Sequence, residues 1–354
     1  MSYDDGWAAL NLEMPGRVPR TEYSASEHWG LVSRVTGKNV SSRDDEATLK
    51  KANNEFISSN GWNYDFVWNV LINKQYLGKF STNMGHAEFA AGGTDFQMES
   101  TSWCTSPEDV LAFDPESQLP EYIYKDLIRH FEEHYAKSVS NAPEAVNMTG
   151  IYITLVSGLI DMFGWDNLLT AAGLDAKKFG EVTNSYARWV QKYFDAMADS
   201  DVPVIMVHDD IVWTSGPFIS PAWYREFIFP HYKNFFRPLL DSGKKIMYTS
   251  DGNYNEFVDD IAASGIHGFV MEPTTDMGYI AQRYGKTHAF IGNADTRILL
   301  FGTKDEIRQE VKRCMDIGKD CPGFFMAVGN HIPANTPVEN ALYYNEVYEE
   351  LSRR

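Results

Sequence analysis

Residues 244–265, KKIMYTSDGNYNEFVDDIAASG, decide the fold. The segment starts with two lysines, gathers Ile246, Met247 and Tyr248, and stops at Thr249, Ser250, Asp251, Gly252 and Asn253 before a helical pattern begins. A short apolar run that ends abruptly in small polar groups, followed by a helix, is the signature of a βα unit.

The same order recurs downstream. IHGFVMEP precedes MGYIAQRYG, THAFIGNAD precedes TKDEIRQEVKRCMDIG, and GFFMAVGNH precedes TPVENALYYNEVYEELSRR. Upstream, VPVIMVHDD (202–210) leads into SPAWYREFIFPHYKNFFRPLLDSG, and GIYITLVSG (150–158) precedes further helical sequence. Ser220 with Pro221 suits a helix start, as does Ser106-Pro107-Glu108-Asp109, and Thr303 with Glu306 and Thr336 with Glu339 have the spacing of capping boxes. Six such units over roughly 200 residues, with one or two more in an irregular first part, predict an α/β chain folded as a (β/α)8 TIM barrel. Residues 1–354 are read as a single barrel domain, with an irregular amino-terminal extension over about 1–140 that includes the first barrel elements. Within it, residues 85–115 carry strand-like pieces around a turn-rich AAGGTD. No GxGxxG follows any expected strand, which argues against an open dinucleotide-binding sheet.

Composition narrows the function classes. The 49 acidic and 31 basic residues leave a formal charge of −18, so a nucleic acid would be repelled over most of the surface. The three cysteines, Cys104, Cys314 and Cys321, form no CxxC and cannot all pair, which excludes a disulfide scaffold and fits a reducing cytoplasm. Cys104 has no nearby basic residue and reads as an inert thiol. No signal pattern opens the sequence and no apolar run reaches membrane-spanning length, so no membrane partner is expected. Aromatics make up 14% of the chain, enough to line a pocket for a flat ligand as well as to pack a core.

In a barrel of this kind the residues just past each strand gather at the carboxy-terminal mouth. Here they are His208, Asp209 and Asp210; Ser250 and Asp251; Glu272; Asn293 and Asp295; Asn330 and His331. Taken singly, Asp251, Asn293 and Asp295 read first as helix caps or turn formers. Their recurrence in five consecutive units is the better sign of a polar site. The neighbouring carboxylates Asp209 and Asp210 should push each other's titration apart in a shielded site unless a cation or backbone donors compensate, and a proton donor near neutral pH is one outcome of that arrangement.

Several stretches, in this order and spacing, carry a resemblance: PGRVPR near the start, VHDDIVWTSGPFISPAWYREFIFPHYK, TSDGN, IGNADTRILLFGTKDEIRQEV and GNHIPANTPVENALYY. Over residues 14–354 the chain resembles the uroporphyrinogen decarboxylase superfamily, and within it the corrinoid-dependent methyltransferase branch, whose fold is also a (β/α)8 barrel. The decarboxylases hold substrate carboxylates with an arginine-rich amino-terminal segment. No such cluster surrounds Arg17 and Arg20, and Gly329-Asn330-His331 stands where those enzymes have Gly-His-Gly. Thiol-methylating members bind zinc at positions that fall here on Thr249, Asp251 and Asn330, none of them a thiolate. Ether-cleaving members imply another zinc set, reproduced in spacing by Asp295, Glu310 and His331. Glu310 also lies on a helix beside Ile307, Val311 and Cys314, where an ion pair with Arg297 or another cation explains it better than a metal does.

The resemblance implies a methyltransferase that takes a methyl group from a methoxylated aromatic to the cobalt of a corrinoid (cobalamin) on a separate corrinoid protein, with zinc as an optional cofactor and a homodimer as an admissible assembly. On that reading Asp210, Asp251 or His331 polarises or protonates the ether oxygen, directly or through a metal. Met148, Trp213, Phe218 and Tyr248 form an apolar wall, His208 lines the site, and Glu272, Asn293 and Asn330 fix ring substituents. Two other classes fit the same motifs: a decarboxylase of a porphyrinogen-like or smaller carboxylate, and a non-catalytic corrinoid- or tetrapyrrole-binding protein.

Overall fold

The structure, a computed structural model, describes residues 2–83, 88–89, 95–96 and 101–354. Its centre is a set of parallel strands: β1 (Phe66–Val67), β2 (Val146–Asn147), β3 (Thr149–Ile151), β4 (Val204–His208), β5 (Lys245–Ser250), β6 (Gly268–Met271), β7 (Ala289–Ile291) and β8 (Phe324–Phe325). β3 to β8 pair side by side in sequence order, and β1 pairs with β2. The gap between β8 and β1 is closed by the chain around Arg20. Arg20 bridges to Met326, Thr21 N donates to Met326 O at 3.1 Å, and Asp65 N donates to Arg20 O at 3.0 Å. With β2 and β3 as one stave and the Arg20 segment as another, the barrel has eight staves, as the βα repetition predicts.

Alternation along the staves separates two cores. Val204 and Met206 of β4, Met247 of β5, Val270 of β6, Ile291 of β7 and Phe325 of β8 fill the barrel interior with Phe66, Val146 and Met148. Ile205, Val207, Ile246, Tyr248 and Phe269 face the helices instead. Helix Ser2–Leu10 lays Ala9 and Leu10 on the interior cluster, near where the staves start. Helix Ala176–Asp199 buries Phe179, Tyr186, Trp189 and Tyr193 on one face, the 3.6-residue stripe of a helix packed on a sheet.

Local signals hold at most helix starts. Ser106 and Asp109 form a reciprocal capping box, as do Thr303 and Glu306, and Ser220 accepts from Trp223 N. Thr336 does not: helix Val338–Leu351 starts from Pro337 with no side-chain cap, because Pro337 occupies the capping position itself. The expected strand 150–158 is shorter than its apolar run, since β3 ends at Ile151 and a helix begins at Val156. The expected helix after Ser220 is two helices, Pro221–Phe227 and Phe229–Asp241, broken ahead of Pro230, which has no N–H to continue the ladder. Glu88–Phe89 and Asp95–Phe96 pair antiparallel as the strand-like pieces suggest, while most of the AAGGTD turn lies outside the described residues.

Candidate active site

His208 is the last residue of β4 and the third on its inward face after Val204 and Met206. Only 3% of its side chain is exposed, and its ring lies flat on Tyr152, with centroids 3.8 Å apart and planes 5° from parallel. Nε2 stands 3.4 Å from Asp210 Oδ1. Asp210 is fixed on both sides: its N–H donates to Ser157 Oγ at 2.7 Å, and its Oδ1 accepts from Asp251 N at 2.8 Å. The donor atoms of His208, Asp210 and Asp251 all lie within 4.8 Å of one another, a group that could hold a metal ion.

Asp209, between His208 and Asp210, points the other way. Its carboxylate is buried and accepts from Tyr232 Oη at 2.5 Å, Ser157 N at 2.7 Å and Leu155 N at 3.3 Å. Burial pushes its pKa up to about 7 against the pull of those bonds, with the Asp210 charge adding to the rise. The two adjacent acids thus have different tasks, one tying the staves to the helices and one facing the mouth.

Glu272, just past β6, spans the mouth. Oε2 accepts from Gly252 N at 2.7 Å and Oε1 accepts from the Asn330 amide, while Asn330 Oδ1 accepts from His331 N at 2.7 Å. Tyr23 and Trp68, stacked at 4.6 Å, form the wall on the side of the closing stave, with the exposed His331 ring 6.5 Å from that of Tyr23. Burial raises the Tyr23 phenol far above its ordinary range and the charges of Asp251 and Glu272 add to it; Tyr152 is raised likewise by burial, then by Asp210 and Asp251. Both phenols are therefore neutral donors beside the carboxylates.

Tyr23, Trp68 and Tyr152 were not singled out from the sequence. The signal for Tyr152 is the period of two from Met148 through Gly150; nothing local marks Tyr23 or Trp68, whose staves are the short irregular ones.

Four expected wall or ring-contact residues are placed differently. Tyr248 is outward-facing and fully buried, donating to Asp209 O at 3.2 Å, because Met247 and Thr249 take the inward positions of β5. Met148 does face inward but is fully buried in the packed interior below the mouth. Asn293 is 1% exposed and its amide is spent on Glu272 O, Thr275 O and Arg313. Asn330 meets Glu272 and its own neighbour. Trp213, 44% exposed, and Phe218 cluster with Trp165 at ring distances of 5.2–5.8 Å on the rim beside Gly252, whose Cβ position meets the Trp213 backbone.

The set Asp295, Glu310 and His331 is not assembled as metal ligands. Asp295 caps helix Thr296–Phe301 and forks to Arg297, with Oδ2 2.6 Å from its Nη2. Glu310 takes Arg313 at 2.7 Å and the Asp295 N–H at 2.9 Å. The ion-pair explanation is the one the geometry bears out, with Arg313 as the partner.

A family model described as uroporphyrinogen decarboxylase (URO-D) matches residues 107–351. The chain belongs to the uroporphyrinogen decarboxylase family. Among curated proteins, the uroporphyrinogen decarboxylase of Carboxydothermus hydrogenoformans is 28% identical over 210 residues, 58% of each chain. That of Thermus thermophilus is 27% identical over 161 residues, 46% of this chain and 45% of its own. The chain spans about half the length of the curated relatives it matches. Among solved structures, a methyltransferase from Methanosarcina mazei superposes with a TM-score of 0.63 at 17% identity, covering 99% of this chain and 98% of that one, which establishes a shared fold.

Within the uroporphyrinogen decarboxylase family the fate of the amino-terminal arginines matters. Arg17 donates to Asp65 and to Tyr348 Oη. Arg20, 1% exposed, pairs with Glu22 and sits 4.5 Å over the rings of Trp62 and Tyr348. Both guanidinium groups serve the closing stave. At the thiol-zinc positions implied by the resemblance, Thr249 is a poor ligand and the Asn330 side chain is committed to Glu272, so a thiolate-type zinc site does not fit there. No helix among the described residues is long and apolar enough to cross a membrane.

Proposed function

We propose that this chain transfers a methyl group from a neutral donor, a methoxylated aromatic, to the cobalt of a corrinoid carried by a partner protein. The observation that carries the reading is the make-up of the mouth: Asp210, Asp251 and Glu272 beside the rings of Tyr23, Trp68 and Tyr152, with Arg17 and Arg20 held in the closing stave by Asp65 and Glu22. A porphyrinogen with many carboxylates would meet negative charge there, with Arg17 and Arg20 withdrawn into the closing stave and Arg297 at the rim already forked to Asp295. A flat, uncharged ring meets aromatic faces.

The corrinoid, when docked, supplies the cobalt nucleophile. The chain's own residues do the rest. As the methyl–oxygen bond breaks, its electron pair stays on the leaving oxygen, which needs a proton or a cation at once. Asp210 and Asp251 face that position, with His208 able to share a proton through Nε2 and Asp210 Oδ1, while His331 approaches from the Tyr23 side. Tyr23 and Tyr152 wall the ring, and the Trp165, Trp213 and Phe218 rim is apolar enough to face a corrin edge.

The test is anaerobic incubation with cob(I)alamin, or with a corrinoid protein, and a panel of methoxylated aromatics, methanol and methylamines, following methylated corrinoid by absorbance. Asp251→Ala should lower the rate by at least about a hundredfold with the fold intact; near-normal turnover would remove Asp251 from the chemistry. The curated relatives favour a second reading, decarboxylation of a carboxylate substrate. Carbon dioxide release from a porphyrinogen or smaller acid, with no methyl transfer across the panel, would establish it.

A further inference from the structure

We infer that His208, Asp210 and Asp251 form a binding site for a divalent first-row transition cation at the floor of the mouth. The site shares only Asp251 with the zinc sets implied by the family resemblance: it takes two ligands, His208 and Asp210, from the end of β4 and one from the end of β5.

Three features carry it. The donor set is one imidazole nitrogen and two carboxylate oxygens, all within 4.8 Å; both are donor types that zinc accepts, and three protein ligands leave a coordination position open. The 3.4 Å between His208 Nε2 and Asp210 Oδ1 already matches two donors bound at about 2.0–2.2 Å on one tetrahedral ion. The ligands are also pre-set: Tyr152 fixes the imidazole plane, Ser157 Oγ holds the Asp210 backbone, and the Asp251 N–H orients the Asp210 carboxylate.

Independently, Thr249 points to a ligand. It is the register partner of His208 and lies on the inward face of β5, 5% exposed, yet its Oγ1 has no hydrogen-bond partner. A buried hydroxyl left in that state is costly. Water or hydroxide in the open coordination position of an ion held by the three side chains would pair with it. The cation would also offset the repulsion between Asp210 and Asp251. Its use in methyl transfer, as the Lewis acid that receives the leaving oxygen, rests on the function proposed above; its binding does not.

The test reads binding. The purified protein, stripped with a chelator and titrated calorimetrically with zinc chloride, should take up one equivalent. Since loss of an outer partner alone costs 10–100-fold, His208→Ala and Asp251→Asn should each weaken binding by at least about tenfold. Asp295→Asn, at the arginine-paired site, should bind as the parent does. Asp251→Cys loaded with cobalt(II) should gain a thiolate-to-metal charge-transfer band, which reports ligation at that position whatever the effect on stability. No uptake by the parent, parent-like affinity in both ligand variants, loss on Asp295→Asn instead, or cobalt bound by Asp251→Cys without the band would each overturn the site. Zinc bound with no methyl transfer would sink the proposed function and leave the site standing; full methyl transfer by stripped protein would sink the cation's catalytic use.

Discussion

Glu272 shows how one side chain can set a site without being its reagent. Its two oxygens hold Gly252 N and the Asn330 amide, so the loop carrying Asp251 is strapped to the loop carrying His331. In Glu272→Gln one of those donors must face an N–H2 group. Asn330 cannot simply turn over, because its Oδ1 already accepts from His331 N. One broken bond of this kind is worth about 1–3 kcal/mol, so turnover should fall roughly tenfold or more. A strap would depress all methyl donors alike, whereas a ring contact would depress only donors bearing the substituent it touches; measuring kcat across the donor panel separates the two. The polar residues past β4, β5 and β6 were legible because an apolar run that stops at an acid has nowhere to bury it. Which flanking side chains share the mouth was less legible. Tyr248 and Met148 are wall residues on the methyl-transfer reading, while counting in twos from Met247 turns Tyr248 outward, and Met148 sits in the packed interior below the opening.

At the scale of elements, the regular units after about residue 147 announce themselves through strand–helix alternation, and β4 to β8 follow from it. The closing stave and β1 do not, being two or three residues of ladder held by bridges that no periodicity reveals. One junction between well-marked staves has a pH signature. His267, at the start of β6, accepts the Ile246 N–H of β5 through Nδ1 at 3.2 Å, which requires that nitrogen to be unprotonated. Burial, with the charges of Lys245 and His288, lowers its pKa to about 4 from an ordinary 6.5. Between those values the unfolded chain binds more protons than the folded one, so this histidine's contribution is present above about pH 6.5 and is lost as pH falls toward 4. His231, lowered to about 4 by burial and then Arg188, acts in the same direction. His267→Asn keeps an acceptor for Ile246 and removes the titration. Its melting temperature should decline less than that of the parent between neutral pH and about pH 5; an unchanged decline would show that His267 does not titrate in this window.

For the whole molecule, the decisive question is what the amino-terminal arginines are for, because a guanidinium there can either receive a substrate carboxylate or hold the barrel shut. Arg20 lies beneath Trp62 and Tyr348, pairs with Glu22 and donates to Asn345; Glu22 in turn accepts Val328 N at 2.9 Å and Tyr344 Oη at 2.7 Å. The pair joins the first stave to the last strand and the last helix, so it closes the ring of staves. Burial raises the pKa of Glu22 despite Arg20, which means its charge depends on that neighbour. Removing the arginine alone leaves a buried carboxylate to be protonated or exposed, at a cost of about 3–5 kcal/mol. Arg20→Met should therefore lower the denaturation midpoint sharply, and Arg20→Met with Glu22→Gln should recover much of the loss, since the second change removes the stranded charge. A substrate-binding arginine would behave oppositely: the single variant would keep its denaturation midpoint and lose affinity for a carboxylate substrate. If denaturant melts and substrate titration of Arg20→Met show that second pattern, the closing stave is also a binding element and the decarboxylase reading gains the cation it lacks.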